Sequence, residues 1–253
     1  MKGIFPQYSI FSDRMRSAIW KEAVFIFDTN VLLNLYRYEK STRDLLFEIL
    51  EQNSGRIWIP YHVALEFQRN RLKVIADQNK RFSDVRKVVD KVRNDMSNSF
   101  DSFQLKTRHS SINPQKLTDG FNKLANDFFR HLDDLQKSQQ QVNGVDPLKV
   151  RVEALFHHRV GNPPSDQHVL DCWSKEAEDR YSRKVPPGYL DSGKDKEEGN
   201  EFLHNNLRYK TQYGDYYVWA QILDYVRKNG VKSVIYVTDD NKEDWWQKVE
   251  SEG

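Results

Sequence analysis

The chain has 253 residues, and its 39 Lys and Arg against 37 Asp and Glu leave a net charge of +2, which excludes a polycation that binds nucleic acid by bulk charge. A single cysteine, Cys172, excludes a disulfide scaffold and a thiolate zinc cluster and suits a reducing, cytoplasmic compartment, while no apolar run reaches membrane-spanning length. The 14 Phe, 12 Tyr and 6 Trp exclude a wholly disordered chain despite a mean hydropathy of −0.81.

In chain order, residues 1–20 mix polar and aromatic side chains and lack the apolar core of a signal peptide. Residues 23–27 (AVFIF) form a short apolar run ending in Asp28, the pattern of a buried parallel strand. Ser41-Thr42-Arg43-Asp44 has a capping-box pattern, followed by Leu45, Leu46, Ile49 and Leu50 on one helical face. Residues 57–59 (IWI) predict a second strand, closed by Pro60, a favoured first residue for a helix over 61–70.

No convincing strand is predicted over roughly 71 to 205. Phe82, Val85, Val88, Val89, Val92 and Met96 follow helical spacing, as do Phe121, Leu124, Phe128, Leu132 and Leu135. Pro163-Pro164-Ser165 opens a further helical pattern through Val169, Leu170, Trp173 and Ala177. Residues 184–200 (KVPPGYLDSGKDKEEGN) read as a loop, either a lid or a loose connector. A helix is predicted over 215–229, with Asp215 at its N-cap and a stop at Asn229-Gly230. Residues 231–237 (VKSVIYV) are the third strand, ending in Thr238-Asp239-Asp240. Strands alternating with helices imply an α/β fold with a central parallel sheet. The expected organisation is one domain built from about 20–70 and 205–250, with a large helical insertion over about 71–204.

The charges are unevenly spread. Residues 69–93 hold nine Lys and Arg against three Asp, and residues 239–253 hold six acids against two Lys. Either stretch alone reads as a solvated face or tail. The acids, however, sit at telling places. Asp28 ends the first strand, Asp239 and Asp240 follow the last, Asp215 begins a helix, and Glu66 lies about two turns into the helix after Pro60. In open parallel sheets ligands bind beyond the carboxyl ends of the strands. Carboxylates converging there repel one another, and Mg²⁺ or Mn²⁺ with their preference for oxygen ligands would compensate them. Such a site can make a nucleophile from water and clamp a phosphate. Each acid also has a plainer reading: a helix N-cap for Asp215, an ordinary surface residue for Glu66.

Four segments together resemble the PIN-domain nucleases, in particular the PIN-like subgroup with a long helical insertion. They are FDTNVLLNLY at 27–36, WIPYHVALEF at 58–67, GDYYVW at 214–219 and VTDDNKEDW at 237–245. The loop PPGYLD at 186–191 is similar to one in that subgroup. The resemblance implies a three-layer α/β/α fold and metal-dependent cleavage of RNA, less often of DNA. It implies catalytic roles for Asp28, Glu66, Asp215 and Asp240, with Mg²⁺ or Mn²⁺ held by these and by Asp239. Asn30, Thr238 and Asp239 are implied as supporting residues. A toxin or phage-defence role fits, with room for a homo-oligomer or a partner protein. The 149-residue separation of Glu66 from Asp215 departs from compact members.

An acidic site needs a basic rim to admit nucleic acid, and Arg37, Arg69, Arg71, Lys73 and Lys194 are the candidates for phosphate contacts. Tyr216, Tyr217 and Trp219 suit either base stacking or core packing. His157-His158 lacks a spaced partner for zinc, and Cys172 lacks one for nucleophilic chemistry. The alternative is a non-catalytic nucleic-acid-binding or scaffold subunit of the same fold. A receiver-like phosphoacceptor is disfavoured, since the middle strand ends in Pro60 rather than Asp.

Overall fold

The computed structural model describes residues 4–5, 11–105, 111–196 and 199–246. The chain is a mixed α/β protein, mostly helical, around a parallel three-stranded sheet, as the sequence predicts. It divides into two compact units, one of residues 1–69 and 148–253, the other of residues 70–147.

In the first unit, helix α1 (Asp13–Glu22) leads into β1 (Val24–Phe27), followed by α2 (Thr29–Asn34) and α3 (Lys40–Gln52). The predicted capping box is not used: Glu39 takes the N-cap of α3 and Ser41 lies inside its first turn. Strand β2 (Ile57–Trp58) and helix α4 (Tyr61–Ser102) follow. Helix α4 has 42 residues, of which 61–69 belong to the first unit and the rest to the second. The sheet order is β2-β1-β5, with β5 at Val234–Val237, so β1 is central and its three last residues are buried. The ladder pairs Phe25 with Ile57 and Phe27 with Val237. The Asp28 N–H donates to the Val237 carbonyl at 2.9 Å, carrying the ladder one residue past β1. Strand β5 is shorter than predicted, because the Val231 N–H instead caps the preceding helix at Val226 O, 3.1 Å away.

Helix α7 (Gln167–Ser182) starts later than the Pro163-Pro164 pattern suggests, with Asp166 accepting from the Val169 N–H at 3.1 Å. An antiparallel hairpin, β3 (Glu201–His204) and β4 (Leu207–Lys210), was not foreseen. Helix α8 (Gly214–Asn229) ends at Gly230, whose φ of 61° is the left-handed conformation a glycine cap supplies. Residues 148–204 thus belong to the unit that holds the sheet. Their aromatic core joins Leu170, Ala177 and Tyr181 of α7 with Tyr209 of β4 and Tyr213, Tyr216 and Tyr217 around α8. Tyr216 and Tyr217 are fully packed there and are not exposed for base stacking.

The second unit pairs α4 with α5 (Gln115–Lys137), followed by α6 (Pro147–Leu155) at its boundary. Arg86 of α4 pairs with Asp133 of α5, and the guanidinium groups of Arg86 and Arg93 both lie near the Phe129 ring. Arg71 pairs with Asp146 at 3.0 Å in a largely buried contact. Four of the nine cations at 69–93 thus make ion pairs among the described residues, since Lys87 and Arg93 also meet Asp84 and Asp90. Among the described residues no helix is long and apolar enough to cross a membrane.

Candidate active site

The carboxyl end of β1 sets the site. Asp28 is the first residue beyond the strand and is 9% exposed. Its Oδ1 accepts from the Thr29 N–H at 2.7 Å, capping α2. Its Oδ2 accepts from Asn30 Nδ2 at 2.8 Å and from the Thr238 hydroxyl at 2.7 Å. Three donors thus fix the carboxylate. Burial nevertheless pushes its pKa up, and Glu66 adds to that, against the Thr238 and Thr29 hydrogen bonds.

Thr29 also reaches the second carboxylate, its hydroxyl donating to Glu66 Oε2 at 2.7 Å. Glu66 lies one helical turn after His62, whose Nε2 is 3.5 Å from Glu66 Oε1. Burial would push the Glu66 carboxyl up, but His62, Thr29 and the more distant Lys194 outweigh it and hold the group below its usual range. His62 is almost wholly buried and stacks on Tyr209. The signal for it was the i, i+4 spacing of His62 and Glu66 on one helix face.

Asp215 is not an N-cap. Helix α8 starts one residue earlier, at Gly214, and Asp215 Oδ2 accepts from the Trp245 indole N–H at 3.2 Å. A Cβ on Gly214 would stand 3.1 Å from Glu66 Oε1, so a glycine here lets the α8 start approach Glu66. The Asp215 carboxyl is pushed up to about 7, first by burial and then by Asp191, Asp28 and Glu66, with the Trp245 bond opposing. Trp245 stacks on Tyr236 of β5 with centroids 5.0 Å apart.

Asp240 joins from the other side. Its N–H donates to the Thr238 hydroxyl at 3.0 Å, and its carboxylate accepts from the Lys242 N–H at 2.8 Å. Asp239 is exposed and turned to other work: its N–H donates to Asn30 Oδ1 at 3.0 Å, and its carboxylate accepts from Asn34 Nδ2 at 2.8 Å. Asn34 in turn accepts from Arg37 at 2.7 Å, which fixes Arg37 beside Asp239.

The other candidate rim residues are scattered. Arg69 lies with its guanidinium 3.1 Å from the Phe202 ring centroid. Arg71 is taken by Asp146, and Lys73 is exposed and makes no ion pair among the described residues. Lys194 pairs with Asp191 at 2.6 Å in a 3₁₀ segment, Tyr189–Lys196, so this part of the Pro/Gly loop is ordered structure. Asp244, wholly buried, accepts from the Leu190 N–H at 3.1 Å and pins the segment to the chain beyond β5. Gly188, at φ +85°, brings the segment against Asp215: a Cβ there would lie 2.7 Å from Asp215 Cβ and 2.5 Å from the Tyr181 hydroxyl. Gly188→Ala is therefore expected to cost about 1–2 kcal/mol for the left-handed backbone alone, read as a lower urea midpoint. A variant as stable as the parent would mean that the segment shifts freely.

Three carboxylates, Asp28, Glu66 and Asp215, thus act on one another electrostatically. Among the described residues, no group of three or more His, Cys, Asp or Glu side chains is gathered closely enough to hold an ion as it stands. The donor chemistry still fits a hard divalent cation: the set is all oxygen, and burial, with repulsion from the neighbouring acids added to it, drives Asp215 toward protonation in the absence of positive charge.

A family model described as a PIN-like domain matches residues 24–253. No curated protein and no solved structure matches the chain.

Proposed function

The chain belongs to the PIN-like domain family, and we propose that it is a metal-dependent endonuclease that hydrolyses phosphodiester bonds, in RNA in preference to DNA. The observation that supports this reading is the linkage of acids beyond the carboxyl end of β1, with Asp28 tied to Glu66 through Thr29 and to the Asp240 N–H through Thr238, beside an Asp215 carboxyl that burial and then neighbouring carboxylates push up to about 7. Like charges placed this way need a cation if all are to be ionised at neutral pH. Asp28, Glu66, Asp215 and Asp240 would hold Mg²⁺ or Mn²⁺, with Asp239 at the margin. When bound, the cation supplies a nucleophile from water at neutral pH and offsets charge developing on the phosphate.

The chain's own groups prepare the site. Asn30 and Thr238 lock the Asp28 carboxylate, so its lone pairs keep one direction. Thr29 ties Asp28 to Glu66, and His62 favours the ionised form of Glu66. Arg37, held by Asn34, is the phosphate contact on the Asp239 side. Arg69, Arg71, Lys73 and Lys194 are the further phosphate contacts in this reading, once nucleic acid competes for the acids that Arg71 and Lys194 now meet. A cytoplasmic toxin or phage-defence nuclease fits these features, alone, as a homo-oligomer or with a partner protein.

The test is incubation of the protein with end-labelled single-stranded RNA, single-stranded DNA and structured RNA, in Mn²⁺ or in EDTA. Cleavage of RNA in Mn²⁺, abolished by EDTA, is the expected result. Cleavage that persists in EDTA would reject the metal mechanism, and faster cutting of the DNA would reverse the substrate preference.

A further inference from the structure

Lys242 places its ammonium between two carboxylates from distant segments. Its Nζ lies 3.3 Å from Asp191 Oδ1 and 3.4 Å from Asp240 Oδ2. Lys194 closes on the other oxygen of Asp191, Oδ2, at 2.6 Å. The two acids are inside, at 14% and 16% side-chain exposure, and the lysines enter from solvent at 42% and 43%.

Asp191 borders the proposed set, since its Oδ1 shares the Lys242 ammonium with Asp240 Oδ2. Its segment is held by the Leu190–Asp244 hydrogen bond and by the contact of Gly188 with Asp215. A lysine ammonium is a compact point charge on a flexible stem, able to leave without disturbing the backbone. A divalent cation between the same oxygens would bring twice the charge.

We propose that Asp191 is a further member of the cation-holding set, and that Lys242 is a tethered counter-ion which fills the space between Asp191 and Asp240 until a divalent cation displaces it. This rests on the metal-dependent reading of the site. It also accounts for carboxylates that are close enough to repel and yet not gathered around one point: an ammonium stands between two of them.

Mn²⁺ binding to the full chain tests it, read from the electron paramagnetic resonance signal of free Mn²⁺ at neutral pH and needing no substrate. Lys242→Met removes the competitor and keeps the stem, and is expected to tighten Mn²⁺ binding by about threefold or more. Asp191→Asn, isosteric, is expected to weaken it by about tenfold or more. A purely structural Lys242 would act with the opposite sign, so Lys242→Met binding Mn²⁺ no tighter than the parent overturns the counter-ion role. Asp191→Asn at parental affinity overturns the ligand role. Lys242→Gln checks that any gain comes from loss of charge and not from the methionine. If Asp28→Asn abolishes binding while neither new variant moves it, the nuclease reading stands and this proposal falls. If the parent binds no Mn²⁺ at all, both fall.

Discussion

Replacing Asp28 by Asn is expected to lower phosphodiester cleavage by about two to three orders of magnitude, the scale seen when one element of a preorganised electrostatic site is removed. The fold should survive. Asn keeps the volume of Asp28 and one carbonyl oxygen to cap the Thr29 N–H. Its amide takes the place of the oxygen that accepted from both Asn30 and Thr238; the Thr238 hydroxyl can turn and accept instead, but the Asn30 amide loses its partner, at about 1 kcal/mol or more. Against that, a buried carboxylate whose ionised form is disfavoured has been removed. Cleavage assays should be run beside thermal melts, with Asp13→Asn on the exposed face of α1 as control. A folded Asp28→Asn protein with parental activity would remove Asp28 from the mechanism.

The second large effect is on stability. Asp215 titrates near 3.8 when unfolded and near 7 when folded. Between those values the folded state holds a proton that the unfolded state has released. The Asp215 contribution to stability in metal-free solution therefore declines as pH rises from about 4 to about 7, by about 1.4 kcal/mol per unit at most. Asp215→Asn has no proton to lose. In EDTA its unfolding free energy from urea titration should match the parent near pH 4 and exceed it at pH 8, by about 4 kcal/mol at most. Mn²⁺ at pH 8 should raise the parent's midpoint and barely move the variant's, because a ligand that binds only the native state stabilises it. A variant less stable than the parent at pH 8 would show that the Asp215 carboxylate is compensated within the protein itself.

Much of this was legible in the chain, for identifiable reasons. β1, β2 and β5 lie in a parallel sheet, so their sequences are short apolar runs. The β3–β4 hairpin escaped notice because its exposed face breaks the pattern: Glu201 and Leu203 face solvent while Phe202 and Tyr209 stack inward. Its turn, Asn205-Asn206 with φ of 49° and 61°, lacks the Asn-Gly signature of such turns. The acids at the strand ends could be read because a parallel sheet directs its strand termini to one edge. Asp191 and Lys242 could not be joined that way. Their meeting depends on a hydrogen bond from Leu190 to a buried aspartate more than 50 positions on, and no local spacing encodes it. The basic run at 69–93 looked like a phosphate track, yet a helix that pairs with another also needs its arginines for that partner, as Arg86 and Asp133 show.

The central position of β1 bears on how the protein is made. Its partner β5 and the hydroxyl that fixes Asp28 both lie 210 residues downstream of their contacts. During vectorial synthesis at about 5–20 residues per second, β1 waits many seconds on the ribosome for that partner. No hairpin can close the sheet early, because parallel neighbours must arrive through a crossover. The carboxylate site therefore assembles only after Thr238 and Asp240 have emerged. A nascent or C-terminally truncated chain carries Asp28 and Glu66 without Thr238 and Asp240, and the order of synthesis acts as a built-in delay on the site's chemistry.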